Sequence, residues 1–251
     1  MENAKFNPIF NNSLSAWDIV GCPSGVYHKK IGTTKPFLHP ELVKIKENFT
    51  RAAEMGKSIQ REIRLKWARA KILIAEEKKI ENDWNLWLKF DAICRAKGRI
   101  VLLEIKSVSE SFFQRIRETK KPRGDNRIQS ILYHNFLKNK YKNLEVAVFY
   151  VNRKNQLETI TIPINYSETE IQELYKKVCD LNRCIDSKKQ PEPVKNIIYD
   201  DFTKEYIVNP SALMCDYHAI CTGDNNWYSD ATQECDKLNQ TLKKRKSRGN
   251  D

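Results

Sequence analysis

The sequence predicts an α/β fold in which a mixed central sheet is flanked by helices. Apolar residues recur at spacings of three and four from Glu41 to about Ile80, as in one or two amphipathic helices with a strongly basic polar face. Two segments rich in β-branched and aromatic residues, 84–95 and 99–107, are separated by Ala-Lys-Gly and are typical of a β-hairpin. Helical and strand patterns then follow one another as far as residue 187.

The other elements are justified in chain order by their periodicity and turn residues. Residues 1–40 contain turn formers and show no clear periodicity. After the hairpin, the patterns predict a helix from Asp125 to Lys140, strands at 145–151 and 157–164, and a helix from about Ser167 to Ser187. The proline-containing segment 188–193, KKQPEP, is the best candidate linker.

Length and composition predict one domain. A chain of 251 residues, 40% of them apolar, can bury a substantial core. We assign residues 41–187 to that core, with two cysteine-bearing segments, 1–40 and 194–240, flanking it. Residues 241–251 are predicted to form a disordered, solvated basic tail.

Charge and cysteine content limit the function classes. The 44 lysines and arginines outnumber the 32 acidic residues and leave a net charge of +12, which favours a polyanionic partner such as nucleic acid. The N-terminus lacks a signal-peptide pattern and no window has the length of a membrane span, so we expect a cytoplasmic protein. Seven cysteines in such a chain favour metal ligation or burial over disulfides.

Three charged residues, Asp91, Glu104 and Lys106, lie inside or at the edge of the apolar hairpin. A two-residue turn at Lys97-Gly98 would put Asp91 directly opposite Glu104 on the face that Lys106 shares, whereas a three-residue turn would shift the register. Two adjacent carboxylates need a cation such as Mg²⁺, and a neighbouring lysine can orient water or stabilise charge on a phosphate. The alternative is an ordinary Glu-Lys ion pair on an exposed strand.

The hairpin motif, an aspartate followed by Glu-x-Lys at the end of an apolar strand, resembles the core motif of the PD-(D/E)XK nuclease superfamily. Downstream, Gln129 and Tyr133 in QSILY are similar to the Gln-x-x-x-Tyr helix of the RecB-type branch. Upstream, Gln60 occupies the position where that branch often has a histidine metal ligand. Taken alone, Gln60 can equally be a polar residue on a basic helix surface.

This resemblance implies a restriction-endonuclease-like core and a role for each matching residue. Asp91, Glu104, the Ile105 carbonyl and Gln60 would bind Mg²⁺ or Mn²⁺. Lys106 would position or activate water, and Gln129 with Tyr133 would orient the hairpin and contact the DNA strand.

Basic residues just before the Gln-Tyr helix could bind the DNA backbone. Arg123 and Arg127 are the candidates, with Lys120 and Lys121 beside them. A solvated charge run explains these residues equally well.

The cysteine pattern resembles that of the CRISPR-associated exonucleases and the AddB nuclease domain, in which one N-terminal and three C-terminal cysteines hold an iron–sulfur cluster. The four matching cysteines of this chain are Cys22, Cys215, Cys221 and Cys235. The resemblance implies that they bind a 4Fe-4S cluster joining the two ends of the chain, and four thiolates also suit Zn²⁺. Ala212 stands where the family usually has a cysteine, and Cys235 is the available substitute. The other three, Cys94, Cys179 and Cys184, fit burial as small apolar residues.

The resemblance implies a metal-dependent DNA exonuclease acting on single-stranded or end-opened DNA, in a prokaryotic or phage-infected cytosol. A partner protein in a DNA-processing or CRISPR-adaptation-like complex is a further expectation. Two alternatives remain open from the residues: a non-catalytic nucleic-acid-binding or assembly factor that keeps the fold, and a site-specific endonuclease.

Overall fold

A computed structural model describes residues 14–35, 40–80, 82–84, 86–200 and 204–248, with side chains up to Lys244. The strands are β1 (Leu14–Ser15), β2 (Leu73–Glu76), β3 (Lys79–Ile80), β4 (Leu86–Lys89), β5 (Ala92–Ala96), β6 (Arg99–Val108), β7 (Leu144–Asn152), β8 (Thr159–Pro163), β9 (Ile197–Asp200) and β10 (Glu205–Val208). The helices are α1 (Ala16–Val20), α2 (Pro23–Ile31), α3 (Pro40–Arg69), α4 (Glu110–Thr119), α5 (Gly124–Leu137), α6 (Glu168–Asp186), α7 (Pro210–Leu213), α8 (His218–Thr222) and α9 (Trp227–Arg248).

The chain divides into two compact units. The first comprises the residues up to Val20 together with Thr50–Cys179, and the second comprises Gly21–Phe49 with the residues from Asp180 onward. The first unit holds most of the predicted core. Both predicted cysteine-bearing segments contribute to the second.

The first unit is built on a five-stranded mixed sheet in the order β2-β5-β6-β7-β8. The pairs β2–β5, β5–β6 and β7–β8 are antiparallel, while β6 and β7 are parallel and are connected through α4 and α5. The strands β1, β4 and β3 form a separate small sheet. The predicted mixed sheet flanked by helices is confirmed.

One face of the large sheet forms an apolar core against α3. Leu103 and Ile105 of β6 pack there with neighbours from β5 and β7, and Ile63 and Trp67 of α3 cover them. Because side chains alternate along a strand, Glu104 and Lys106 lie on the opposite face.

The hairpin has the predicted two-residue turn. Ala96 pairs with Arg99, so Lys97 and Gly98 form the turn, with φ of 51° and 79°. Positive φ at both positions is what a type I′ turn requires. Since Ala92 pairs with Leu103, continuing the register by one residue puts Asp91 opposite Glu104.

Two element predictions are wrong in their extent. The helix predicted to reach Ile80 ends at Arg69, because Lys71 adopts a φ of 58° and the following residues pair as β2 with β5. The first hairpin strand, predicted over 84–95, is interrupted at Phe90 and Asp91. Residues 86–89 join β1 and β3, while 92–96 form the hairpin.

The second unit contains the β9–β10 hairpin and α2, α7, α8 and α9. Its core joins Leu42, Ala212, Trp227 and Ala231, all nearly inaccessible to solvent. The helix α9 continues to Arg248, so the predicted tail is helical from residue 241 to 248, and residues 249–251 lie outside the described part. Within the described residues, no helix has the length and apolar content needed to cross a membrane.

Candidate active site

The hairpin brings two carboxyl groups and an ammonium group together. Glu104 is 4% exposed, and its Oε1 lies 2.7 Å from Lys106 Nζ. Asp91, at the break between β4 and β5, accepts a hydrogen bond of 2.8 Å from the Ile105 amide through Oδ2. This bond fixes the Asp91 side chain against the strand that carries the other two residues.

Burial dominates the electrostatics of this group. Burial, together with the charge of Asp91, raises the pKa of Glu104 to about 7 against the opposing effect of Lys106. The pKa of Asp91 is also raised, chiefly by burial. Burial alone would lower the pKa of Lys106, but Glu104 and Asp91 outweigh it, so the pKa is raised and the ammonium form is favoured.

The break that positions Asp91 is tied to α3 by an ion-pair network. Arg64 is 7% exposed and contacts Glu76 at 2.9 Å and Glu77 at 2.8 Å. The Glu77 amide donates to the Asp91 carbonyl at 3.3 Å. The network therefore holds the backbone on which the Asp91 carboxyl is mounted.

Gln60 of α3 reaches the same site. Its Nε2 donates to the Ile105 carbonyl at 2.6 Å. Gln60 and the Ile105 carbonyl, which the resemblance implies as additional metal ligands, are thus in contact with each other.

The Gln-Tyr pair lies on the buried face of α5. Gln129 is 1% exposed, and neither atom of its amide has a hydrogen-bond partner among the described residues. Tyr133, one turn later, is 7% exposed, and burial together with the charges of Glu104 and Asp91 raises its pKa. Glu104 Oε2 is likewise buried without a partner in the described part of the chain.

These unpartnered groups indicate a site made for a ligand. Leaving a buried polar atom without a hydrogen bond costs about 1–3 kcal/mol, and native proteins rarely tolerate it away from functional sites. Asp91, Glu104 and the Ile105 carbonyl offer the hard oxygen donors that Mg²⁺ and Mn²⁺ prefer, so these residues fit such an ion. No group of three or more His, Cys, Asp or Glu side chains among the described residues is arranged to hold a metal as it stands. The site thus has two carboxylates, and a metal would take its other ligands from the carbonyl, an amide or water.

Two further residues, which the sequence does not single out as part of the site, border it. Lys106 Nζ lies 5.2 Å from the ring centroid of Trp17, an exposed residue of α1. Asp125, in the first turn of α5, contributes to raising the pKa values of Glu104 and Lys106. The sequence marks Asp125 only as the start of the predicted helix, and Trp17 lies in a segment without periodicity.

The two predicted DNA-binding arginines have different surroundings. Arg127 forms an ion pair with Glu170 and donates to the Asn165 carbonyl at 2.8 Å. Arg123 pairs with Asp125 at 3.2 Å, and its guanidinium lies 5.3 Å from the Phe112 ring centroid. Of the two, Arg123 forms an ion pair with the acidic residue that borders this group, whereas Arg127 pairs with Glu170.

In the second unit, three of the four predicted cluster cysteines are associated. A hydrogen bond from Cys215 lowers the pKa of Cys22 to about 4, burial opposes this, and His218 contributes a smaller lowering. Cys221 accepts a 2.9 Å hydrogen bond from Ser24, and its pKa is raised chiefly by burial and further by the Cys22 charge. Gly25 makes the close approach possible, because a Cβ there would overlap the Cys215 sulfur.

Cys235, the fourth predicted ligand, has different surroundings from the other three cysteines. Cys235 lies in α9 and is 6% exposed; its pKa is raised by burial and then by Asp236 and Glu234. His218 is 1% exposed, donates from Nε2 to Asn196 Oδ1 at 2.7 Å, and has its other ring nitrogen unpaired among the described residues. The contacts thus associate His218, rather than Cys235, with Cys22, and no such group among the described residues is arranged to hold a metal as it stands.

Of the remaining cysteines, Cys94 is 2% exposed in the sheet core, and burial raises its pKa to about 12. Cys179 and Cys184 are only partly buried.

No family model matches the sequence, and no curated protein matches it. Among solved structures, the alkaline exonuclease LHK-Exo from Laribacter hongkongensis is similar, with a TM-score of 0.50 and 10% sequence identity over 70% of this chain and 89% of that chain. The same exonuclease in complex with dAMP has a TM-score of 0.49 and 11% identity, with the same coverage. The likeness shows that this chain shares the mixed α/β fold of that exonuclease. The narrower resemblance to the CRISPR-associated exonucleases and AddB stays a prediction.

Proposed function

We propose that the protein is a nuclease that hydrolyses DNA phosphodiester bonds with Mg²⁺ or Mn²⁺, acting from ends on single-stranded or end-opened DNA. The observation that carries the proposal is the buried group of Asp91, Glu104 and Lys106, with Glu104 Oε2 left without a partner among the described residues. A fold shared with an exonuclease and a net charge of +12 support it.

Each residue has a specific task in this proposal. Asp91 and Glu104 would hold the metal, with the Ile105 carbonyl as a further ligand and Gln60 beside it. A bound ion would polarise the phosphate and make the attacking water more acidic. Lys106, held by Glu104, would present its ammonium group to the phosphate and stabilise the charge that develops there.

The helix α5 would orient the substrate. The unpaired Gln129 amide can bond a metal-bound water or a phosphate oxygen, and Tyr133 borders the same carboxylates. Arg123 would contact the DNA backbone before this helix; Arg127 would do so only by exchanging its ion pair with Glu170.

The test compares linear and circular single-stranded and double-stranded DNA with Mg²⁺, Mn²⁺ or EDTA. We expect cleavage of linear DNA that EDTA abolishes and that Glu104→Gln and Lys106→Met each reduce by at least about a hundredfold. Glu145→Gln is the matched control, because Glu145 lies exposed on the neighbouring strand β7. Cleavage of circular DNA would indicate an endonuclease, and salt-sensitive binding without cleavage would indicate a binding factor.

We also propose that the second unit holds a metal centre through Cys22, Cys215 and Cys221, with either a 4Fe-4S cluster or Zn²⁺ bound. Cys235 is the fourth ligand that the sequence predicts. We instead favour His218 as the fourth ligand, because one of its ring nitrogens has no partner among the described residues. Three thiolates and an imidazole suit a structural Zn²⁺ site. The centre would staple together two segments that are distant in the chain.

The metal content of anaerobically purified protein tests this second proposal without reference to activity. We expect about one zinc per chain, retained by Cys235→Ser and lost by Cys22→Ser and by His218→Phe. Retention of metal by His218→Phe with loss by Cys235→Ser would restore the four-cysteine assignment. Iron with a brown colour would identify a cluster instead, and protein without metal would refute the centre.

A further inference from the structure

Trp17 is an exposed aromatic side chain on an otherwise buried helical turn. It is 58% exposed, whereas Ala16, Asp18 and Ile19 of the same short helix are each less than a tenth exposed. A tryptophan of this kind loses hydrophobic stabilisation by remaining in water. Its exposure therefore needs an explanation beyond packing.

The turn that carries Trp17 is firmly held. Ser15 donates to Asp18 Oδ2 through its amide at 2.7 Å and its hydroxyl at 2.9 Å, and its hydroxyl accepts from the Asp18 amide at 3.2 Å. Ser15 is also paired with Trp87 where β1 runs parallel to β4. The indole is thus mounted on fixed backbone, which lowers the entropy lost when a ligand binds.

The position of the ring connects it to the active site. Lys106 Nζ lies 5.2 Å from the ring centroid, and the same ammonium group contacts Glu104 at 2.7 Å. A surface that combines an open aromatic face with a cation suits one ligand in particular. A nucleotide offers a flat base for the ring and a phosphate for the ammonium group.

We propose that Trp17 stacks on the base of the nucleotide whose phosphate lies at Lys106. The inference rests on the proposed nuclease function and assigns the binding site for the base next to the scissile bond. Stacking on an indole does not depend on base identity, so it would confer little sequence preference. It does require an unstacked base, so the site would favour single-stranded or frayed ends over intact duplex.

The test uses linear single-stranded oligonucleotides with one abasic residue placed at successive positions. Parent protein should pause where the abasic residue reaches the Trp17 site, with cleavage slowed about tenfold. Trp17→Leu should cleave unmodified DNA about tenfold more slowly and show no pause. Trp17→Phe, which keeps an aromatic face, should retain most of the cleavage rate and the pause. Tyr199→Leu is the control and should behave as the parent does, because Tyr199 is an exposed aromatic residue of the other unit.

Binding separates failure of this inference from failure of the nuclease proposal. In the Glu104→Gln background, Trp17→Leu should weaken binding of single-stranded oligonucleotides about tenfold and remove part of the DNA-induced quenching of tryptophan fluorescence. If these binding effects occur and the parent protein, with Glu104 intact, cleaves no DNA, the stacking site stands and the nuclease proposal falls. If the protein cleaves DNA but Trp17→Leu matches the parent in cleavage, pausing and binding, the stacking site is refuted.

Discussion

In metal-free buffer the buried Glu104 carboxyl should make the protein less stable as the pH rises, and Glu104→Gln should remove that effect. Burial and Asp91 raise the Glu104 pKa from the ordinary 4.5 to about 7. Between these values the folded protein keeps a proton that the unfolded chain releases. The free energy of unfolding therefore falls as the pH rises through this interval.

The size of the effect follows from the pKa. A change from 4.5 to about 7 corresponds to about 3 kcal/mol, at about 1.4 kcal/mol for each pH unit. Asp91 contributes in the same direction, since its pKa is raised as well. Between pH 5 and pH 8 the stability of Glu104→Gln relative to the parent should therefore rise by about 2–3 kcal/mol.

Urea unfolding from about pH 5 to about pH 8 in EDTA, followed by near-UV circular dichroism, measures this difference. Glu145→Gln is again the control, because its side chain is 51% exposed and should alter stability by less than about 1 kcal/mol at any pH. Addition of Mg²⁺ should restore the stability of the parent protein at high pH, because the ion neutralises the carboxylates. Identical pH profiles for the parent and Glu104→Gln would refute the argument from burial.

Three other substitutions test particular contacts. Gln129→Leu should leave stability unchanged or raise it by about 1 kcal/mol, because it removes a buried unpaired amide, while cleavage falls; loss of stability in urea would contradict this. Gly25→Ala should weaken metal retention because the new Cβ would overlap the Cys215 sulfur, and unchanged metal content would show that the sulfur can move at little cost. Lys97→Gly should raise the free energy of unfolding by up to about 1 kcal/mol, because Lys97 has a φ of 51°, and an equal or lower free energy would show that the turn stores no strain.

The grouping of the three candidate site residues on one hairpin could be predicted because their signals are local. Asp91, Glu104 and Lys106 stand out as charges in apolar segments, and the Lys97-Gly98 turn decides the register that faces Asp91 toward Glu104. Positive φ at both turn residues is a local property of that two-residue stretch. No knowledge of distant contacts is needed for this part of the site.

The features that the sequence did not reveal depend on contacts between distant segments. β2 follows a helical pattern, but it becomes a strand because β5 offers it an edge. Residues 86–89 resemble an extension of the hairpin, but they pair with β1, which is distant in the chain. The approach of Trp17 to Lys106 and of His218 to Cys22 likewise requires the folded chain.

Direct binding of Mn²⁺ tests the central claim, that Asp91 and Glu104 form a divalent-metal site. Isothermal titration calorimetry with parent protein should show binding of Mn²⁺ with release of protons, because the pKa of Glu104 is about 7 and the metal binds the ionised carboxylate. Glu104→Gln should lose that binding and the accompanying proton release, while Glu145→Gln should keep both. Equal Mn²⁺ affinity and equal proton release in the parent and Glu104→Gln would contradict the account.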